Sequence, residues 1–322
     1  MGGLGAESDK AGCSYGYFAS SDRGFSTTTA MKQRVHRVVV SLGCLLIGGF
    51  CRTDCHRMRP TLMLASLLLV MPLPLSKPAW PHGLEQAQTK SEPPRCDRSQ
   101  FSVILDVGHT AEAPGALSAR NVPEYQFNLR LAAHIKRHLI KGGFNKTVLL
   151  VTGGPARPSL FDRVMTANGL SANLFVSIHH DSVPDSLLES WEFDGKKSYF
   201  SDQFSGYSIF VSYENPHLNE SLLFGHLLGK ELKDRGLQYA RQYTQAIMGE
   251  RRRELVDPEV GIYRYDQLIV LKGTQVPAVL FEAGSIINRE EEIQMSSAKR
   301  LNLIGAALRT AVATFCNLST SR

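Results

Sequence analysis

The sequence predicts an α/β fold, a single three-layer sandwich whose largely parallel central sheet is flanked by helices on both faces. Three observations carry that prediction. Short apolar runs alternate with amphipathic stretches of helical length from Phe101 onward, the pattern of strands joined by crossover helices. Residues 102–107, Ser-Val-Ile-Leu-Asp-Val, read as a buried strand that stops at Gly108. Pro123 then opens a helix with Phe127, Leu131, Ile135 and Leu139 on one face, and Gly142-Gly143 closes it. Residues 148–151 give a second strand, 160–170 a helix and 174–178 a third strand. Further strands are expected over 207–212, 267–271 and 278–281, and helices over 220–235 and 299–315. No internal repeat or heptad run competes with this reading.

The chain has 322 residues, 43% hydrophobic and 20% charged, which suits a globular protein. Its net charge of +6 would invite a nucleic-acid partner if it were spread over the folded part. It is not: residues 1–79 hold nine Lys/Arg against four Asp/Glu, and the remainder holds 27 against 26. A polyanion-binding surface is therefore not expected. Within residues 1–79, Met58-Arg59 precede the apolar run from Leu62 to Met71, which Pro72 and Pro74 break. A basic start, a run too short to span a bilayer and a helix-breaking end describe a signal peptide, with cleavage expected near Ser76 or Ala79. A second such run, residues 38–50, follows Met31, so translation is expected to start at Met31 or Met58. The alternative is an uncleaved membrane anchor. Residues 80–100 are polar and carry Pro81, Pro93 and Pro94, as a linker does, leaving 101–322 as the folded domain. Four of the six cysteines lie in the leader. Cys96 and Cys316 remain, and in an exported protein they are expected to form one disulfide joining the domain's ends.

Functional residues of open α/β sheets collect where strands end. The first strand ends in Asp106-Val107-Gly108-His109, the third in His179-His180-Asp181, and the last in Glu282-Ala283-Gly284. Glu124 stands at the start of the first helix. Two imidazoles and a carboxylate, with water in the fourth place, form the usual plan of a hydrolytic zinc site. Alternatives stand beside each residue. His109 alone could cap a turn, and Glu124 could serve the helix dipole. His179 and His180 should point to opposite faces of a strand, so only one can meet an ion. His134 and His138 form an i, i+4 pair, but Lys136, Arg137 and Lys141 would repel a cation, so they read as a solvated face. Arg251-Arg252-Arg253, bracketed by Glu250 and Glu254, also reads as solvated. The surrounding 239–265 stretch is expected to be a surface loop or short helix, with a cleft-bordering role as the alternative.

These segments resemble the zinc-dependent N-acetylmuramoyl-L-alanine amidases of the amidase-3 family, over roughly residues 101–316. The matching motifs are Asp106 to His109, then Pro114-Gly115-Ala116, then Glu124 with Asn128 and Leu129. Ser159-Leu160, Arg163 and Ala167-Asn168 come next, then residues 174–179, and lastly Pro277, Val279, Leu280, Glu282, Gly284 and Asn288. The resemblance implies a Zn2+ ion held by His109, Glu124 and His179, with Glu282 as catalytic carboxylate. It implies hydrolysis of the amide between N-acetylmuramic acid and L-alanine in peptidoglycan, in the periplasm or outside the cell, for wall remodelling or cell separation. An activator protein is compatible with it, the chain is expected to be a monomer, and membrane contact is expected only through an uncleaved leader. The rival functions are a zinc amide hydrolase acting on another peptide and an inactive wall-binding protein. The sequence departs from the family at Thr110-Ala111, Thr152-Gly153, His180 and Ser285. Residues 182–206 are too few for the inhibitory helix some members carry, so none is expected, and His180 is expected at the rim of the cleft.

Overall fold

The computed structural model describes residues 96–319. The expected leader, and the linker as far as residue 95, lie outside the described residues. The elements in chain order are β1 (Val103–Val107), α1 (Glu124–Lys141), β2 (Thr147–Leu150), α2 (Ala156–Leu170), β3 (Leu174–Asp181), β4 (Glu189–Phe193) and β5 (Lys196–Phe200). They continue with β6 (Ser208–Val211), α3 (Leu218–Asp234), β7 (Glu254–Asp257), β8 (Ile262–Arg264), α4 (Ile269–Lys272), β9 (Ala278–Ser285), α5 (Arg289–Ser296) and α6 (Ala298–Ser319).

Seven strands form one sheet in the order β2-β1-β3-β9-β6-β8-β7. The run β2-β1-β3-β9 is parallel throughout, while β6 joins β9, and β7 joins β8, antiparallel. The expected sandwich is therefore present, with a mixed edge. Every residue of β1 is buried, and alternate side chains divide between two cores. Val103, Leu105 and Val107 pack with Leu131 and Ile135 of α1 and with Leu308 and Phe315 of α6. Ile104 faces the opposite layer, with Ala167 of α2 and Leu271 of α4. A strand buried on both faces needs apolar residues at consecutive positions, which explains the unbroken run. Helix α6 is long and apolar enough to cross a bilayer by composition. Its stripe of Ile304, Leu308, Ala311 and Phe315 instead packs in the core.

Two expectations need correction. Residues 267–271 do not form a strand: α4 occupies Ile269–Lys272, with Val270 and Leu271 turned into the second core. A short apolar run carries no period to separate a buried turn of helix from a buried strand. The 239–265 stretch contains strands β7 and β8 as well as two 3-10 turns. Residues 182–206 hold a three-residue 3-10 turn and the β4–β5 hairpin, with no α-helix.

Cys96 and Cys316 form a disulfide with their Cα atoms 5.6 Å apart, inside the distance of about 7 Å that such a bond requires. The bond closes a loop with a sequence separation of 220 and ties the start of the domain to the buried end of α6. Chain-entropy reasoning assigns such a loop a stabilisation on the order of 5 kcal/mol. Adding reductant to the folded protein is therefore expected to lower its urea denaturation midpoint. Equal midpoints with and without reductant would contradict the bond's role.

Candidate metal centre

Strands β1 and β3 are neighbours, so their C-terminal ends deliver His109 and His179 to one place. His109 turns out of the sheet at φ 66°, a left-handed conformation that side chains other than glycine rarely hold. The turn is fixed from behind. Buried Arg163 of α2 donates through Nη2 to the His109 carbonyl oxygen, and its Nη1 lies 3.3 Å from Asp106 Oδ2. Ser177 Oγ donates to that same Asp106 oxygen at 2.6 Å. Gly108 leaves the room His179 needs: a Cβ there would fall 2.4 Å from the imidazole Nε2. Gly115 (φ 80°) serves Glu124 likewise, since its Cβ would lie 2.5 Å from Oε2.

Glu124, the first residue of α1, is only 4% exposed. Its Oε2 lies 2.8 Å from His109 Nε2, and its Oε1 lies 3.0 Å from His179 Nδ1. One donor atom from each residue lies within 4.8 Å of the others, somewhat wider than the spacing of about 4 Å expected for ligands of a shared ion. Burial works to raise the Glu124 carboxyl, but the charges and hydrogen bonds of His109 and His179 outweigh it and hold the group well below the ordinary carboxylate range. Burial lowers His179 against its bond to Glu124, which favours the neutral ring that a metal ligand must be. Two imidazole nitrogens and a carboxylate oxygen, converging in a cradle that a Cβ at either glycine would fill, fit a borderline divalent cation. Glu124 keeps its place as an acid in the first turn of α1, and its oxygens also turn towards His109, His179 and the Ala116 N–H.

Glu282 stands on β9 directly opposite His179 in the register. It is half-buried, and its Oε2 is covered without a hydrogen-bond partner among the described residues. Burial, reinforced by the charges of Asp181 and Glu124 and opposed by Arg251, holds its carboxyl well above the ordinary range. Asp181 is pushed up to about 7 by burial, against a 2.7 Å hydrogen bond from Tyr243 Oη and the charge of Arg251.

The structure corrects two side-chain expectations. His180 does not sit at the rim. It is 3% exposed, its Nδ1 is 2.7 Å from Asn128 Oδ1, and its ring packs against Phe127. Burial lowers its pKa to about 3, so the ring stays neutral. The Arg251–Arg253 run is not uniformly solvated either. Arg252 is exposed, Arg253 stacks 3.7 Å over the Tyr265 ring, and Arg251 donates to the Ser182 carbonyl at 2.9 Å. Sequence reasoning missed Tyr243 and Arg251, which close over the end of β3 from a segment lacking any regular period. His134 and His138 share Asn302 Oδ1 at 2.9 and 3.3 Å and belong to no metal-competent group among the described residues.

Sheet order and donor set together define an α/β domain with a metal-competent centre at its parallel strand ends. A family model described as N-acetylmuramoyl-L-alanine amidase matches residues 103–314, and the chain belongs to that family. AmiA of Escherichia coli, an N-acetylmuramoyl-L-alanine amidase, is 24% identical over 239 residues, covering 66% of this chain and 75% of that one. A Buchnera aphidicola protein carrying the same amidase name is 26% identical over 222 residues, covering 65% of this chain and 94% of its own length. The solved structure of Ami1 from Mycobacterium smegmatis shares the fold, with a TM-score of 0.51 at 18% identity, covering 67% and 97% of the two chains.

The buried Arg163–Asp106 pair makes a direct prediction. Arg163→Met leaves Asp106 charged and unpaired in the interior, and is expected to cost about 3–5 kcal/mol of stability by chemical denaturation. A wild-type midpoint in that variant would contradict the pairing.

Proposed function

We propose that this protein is a zinc-dependent amidase that hydrolyses the bond between N-acetylmuramic acid and L-alanine in peptidoglycan. The observation that carries the reading is the meeting of His109, Glu124 and His179 beside Glu282, whose Oε2 has no hydrogen-bond partner among the described residues. His109, Glu124 and His179 would hold the ion. When bound, a zinc ion supplies Lewis acidity, which makes water a stronger acid and polarises a carbonyl. Glu282 takes a proton from the attacking water as general base, and the water oxygen adds to the muramoyl carbonyl carbon. The carbon–nitrogen bond then breaks, and Glu282 returns the proton to the alanine amine that leaves. Three features suit Glu282 to that work. It stands on the strand next to His179, it lies outside the ligand group, and its Oε2 accepts no hydrogen bond from the described residues. The Asp106–Arg163 pair and Asn128 keep the ligands in place while the proton moves.

The family supports a wall substrate, and the expected signal peptide in the leader supports action in the bacterial cell envelope, in wall remodelling or the separation of daughter cells. The 1–79 leader, the 80–100 linker and the 101–322 catalytic domain complete the proposed organisation.

Digestion of purified muropeptides followed by mass spectrometry tests the reaction. Stem peptides with free L-alanine amino ends are expected, whereas intact sugar–peptide links, or cleavage elsewhere in the peptide, would favour the rival functions. Glu282→Gln is expected to lower kcat by about 10²–10⁴-fold, the usual worth of a general base, while still binding one zinc. Full turnover in that variant would remove Glu282 from the mechanism.

A further inference from the structure

Position 180, like position 110, is a place where this chain departs from its family beside a proposed metal ligand, and the structure gives the residue at 180 a task. Asn128 is fully buried on α1, one turn after Glu124. Its Nδ2 donates to the Gly108 carbonyl at 3.2 Å and to Glu124 Oε1 at 3.1 Å, which uses both amide hydrogens. Its Oδ1 faces His180 Nδ1 at 2.7 Å. Because Oδ1 can only accept, His180 must be the donor in this pair. The reversed amide would set its oxygen against a carbonyl and a carboxylate, with an NH2 group against the imidazole. The arrangement thus has one satisfied state, and His180 supplies the bond on the side remote from the metal centre. The backbone N–H of His180 also reaches Glu124 Oε1, at 3.3 Å.

We propose that His180 is a positioning residue for the metal centre: through Asn128 it fixes the orientation of the Glu124 carboxylate between His109 and His179. The inference rests on the metal reading given above. Outer partners of this kind orient ligands so that little rearrangement remains when the ion binds, and their loss typically weakens metal affinity by about 10–100-fold. A histidine whose role was only to fill space against Phe127 would have no such effect.

The test is zinc affinity, measured on the full chain by competition with a chromophoric chelator. His180→Leu keeps an apolar body of similar size but removes the donor. His180→Ala restores the residue usual in the family, whose members fold with it, so loss of the fold does not confuse the result. His180→Asn places an amide NH2 near the position of Nδ1. The expected pattern is a loss of affinity of about 10–100-fold in both the Leu and the Ala variants, and recovery to within about threefold of wild type in the Asn variant. Wild-type affinity in the Leu variant, or equal losses in the Leu and Asn variants, would overturn the positioning role. Failure of the wild-type chain to bind one zinc would instead overturn the metal reading beneath it, so the two failures are distinguishable.

Discussion

A carboxylate placed almost out of reach of solvent must be compensated on the spot, and Glu124 is the point at which this fold meets that demand. Transfer of such a charge from water costs several kcal/mol even after relaxation. Five groups answer for it: the rings of His109 and His179, the amide of Asn128, and the backbone N–H groups of Ala116 and His180. These come from β3, α1 and the connection between β1 and α1, so those segments must be in register for the acid to be satisfied. Two glycines are required by the same convergence, because nothing larger fits against His179 or between Glu124 and His109. A divalent cation would fit the arrangement, taking the place of the imidazole N–H groups that face Glu124 and leaving the amide and backbone hydrogen bonds to Glu124 in place.

Behind this layer lies a second one, which gives the departure from the family pattern at Thr110 a place. Thr110, the residue after the first histidine, is buried. It donates to the Gly154 carbonyl at 2.7 Å and accepts from the Ala113 N–H at 2.9 Å, pinning the loop after β1 to the loop after β2. Glu112 accepts from the Gly154 N–H across the same seam. Ser285, where an aromatic residue is usual, donates its backbone N–H to buried Glu291, and Glu291 also accepts from Gly206. The departure at Thr110 thus sits among hydrogen bonds that tie the loop after β1 to the loop after β2, whereas the Ser285 hydroxyl is buried without a partner among the described residues. The proposed ligands are untouched.

The sheet's parallel half and its helices were legible because burial on two faces leaves an unbroken apolar signature, as in residues 103–107, and because Pro123 and Gly142 punctuate α1. The two candidate histidines were legible for a different reason: the apolar runs fix the strand ends, and parallel pairing carries the residues there to the same edge of the sheet, whereas Glu124, at the start of α1, was singled out through the resemblance to the family. The β4–β5 hairpin was missed although its signal was present. Asp194-Gly195 take φ values of 52° and 69°, the left-handed pair that a two-residue hairpin turn requires, and Trp191 and Phe193 alternate with exposed neighbours. Strands β7 and β8 were beyond reach, because three or four residues give too few positions to establish a period of two. The inward turns of Arg251 and His180 were unreadable for a deeper reason. Side-chain burial there is decided by residues far apart in sequence, Ser182 for one and Asn128 for the other. No local pattern records such contacts.

X-ray absorption at the zinc edge bears most directly on the claim that two rings and one acid share an ion. The account predicts one zinc per chain with a shell of nitrogen and oxygen neighbours at about 2.0–2.1 Å, including the outer scattering of imidazole, and loss of that spectrum on Glu124→Ala. A sulfur shell at about 2.3 Å, or an unchanged spectrum in the variant, would place the ion elsewhere and contradict it.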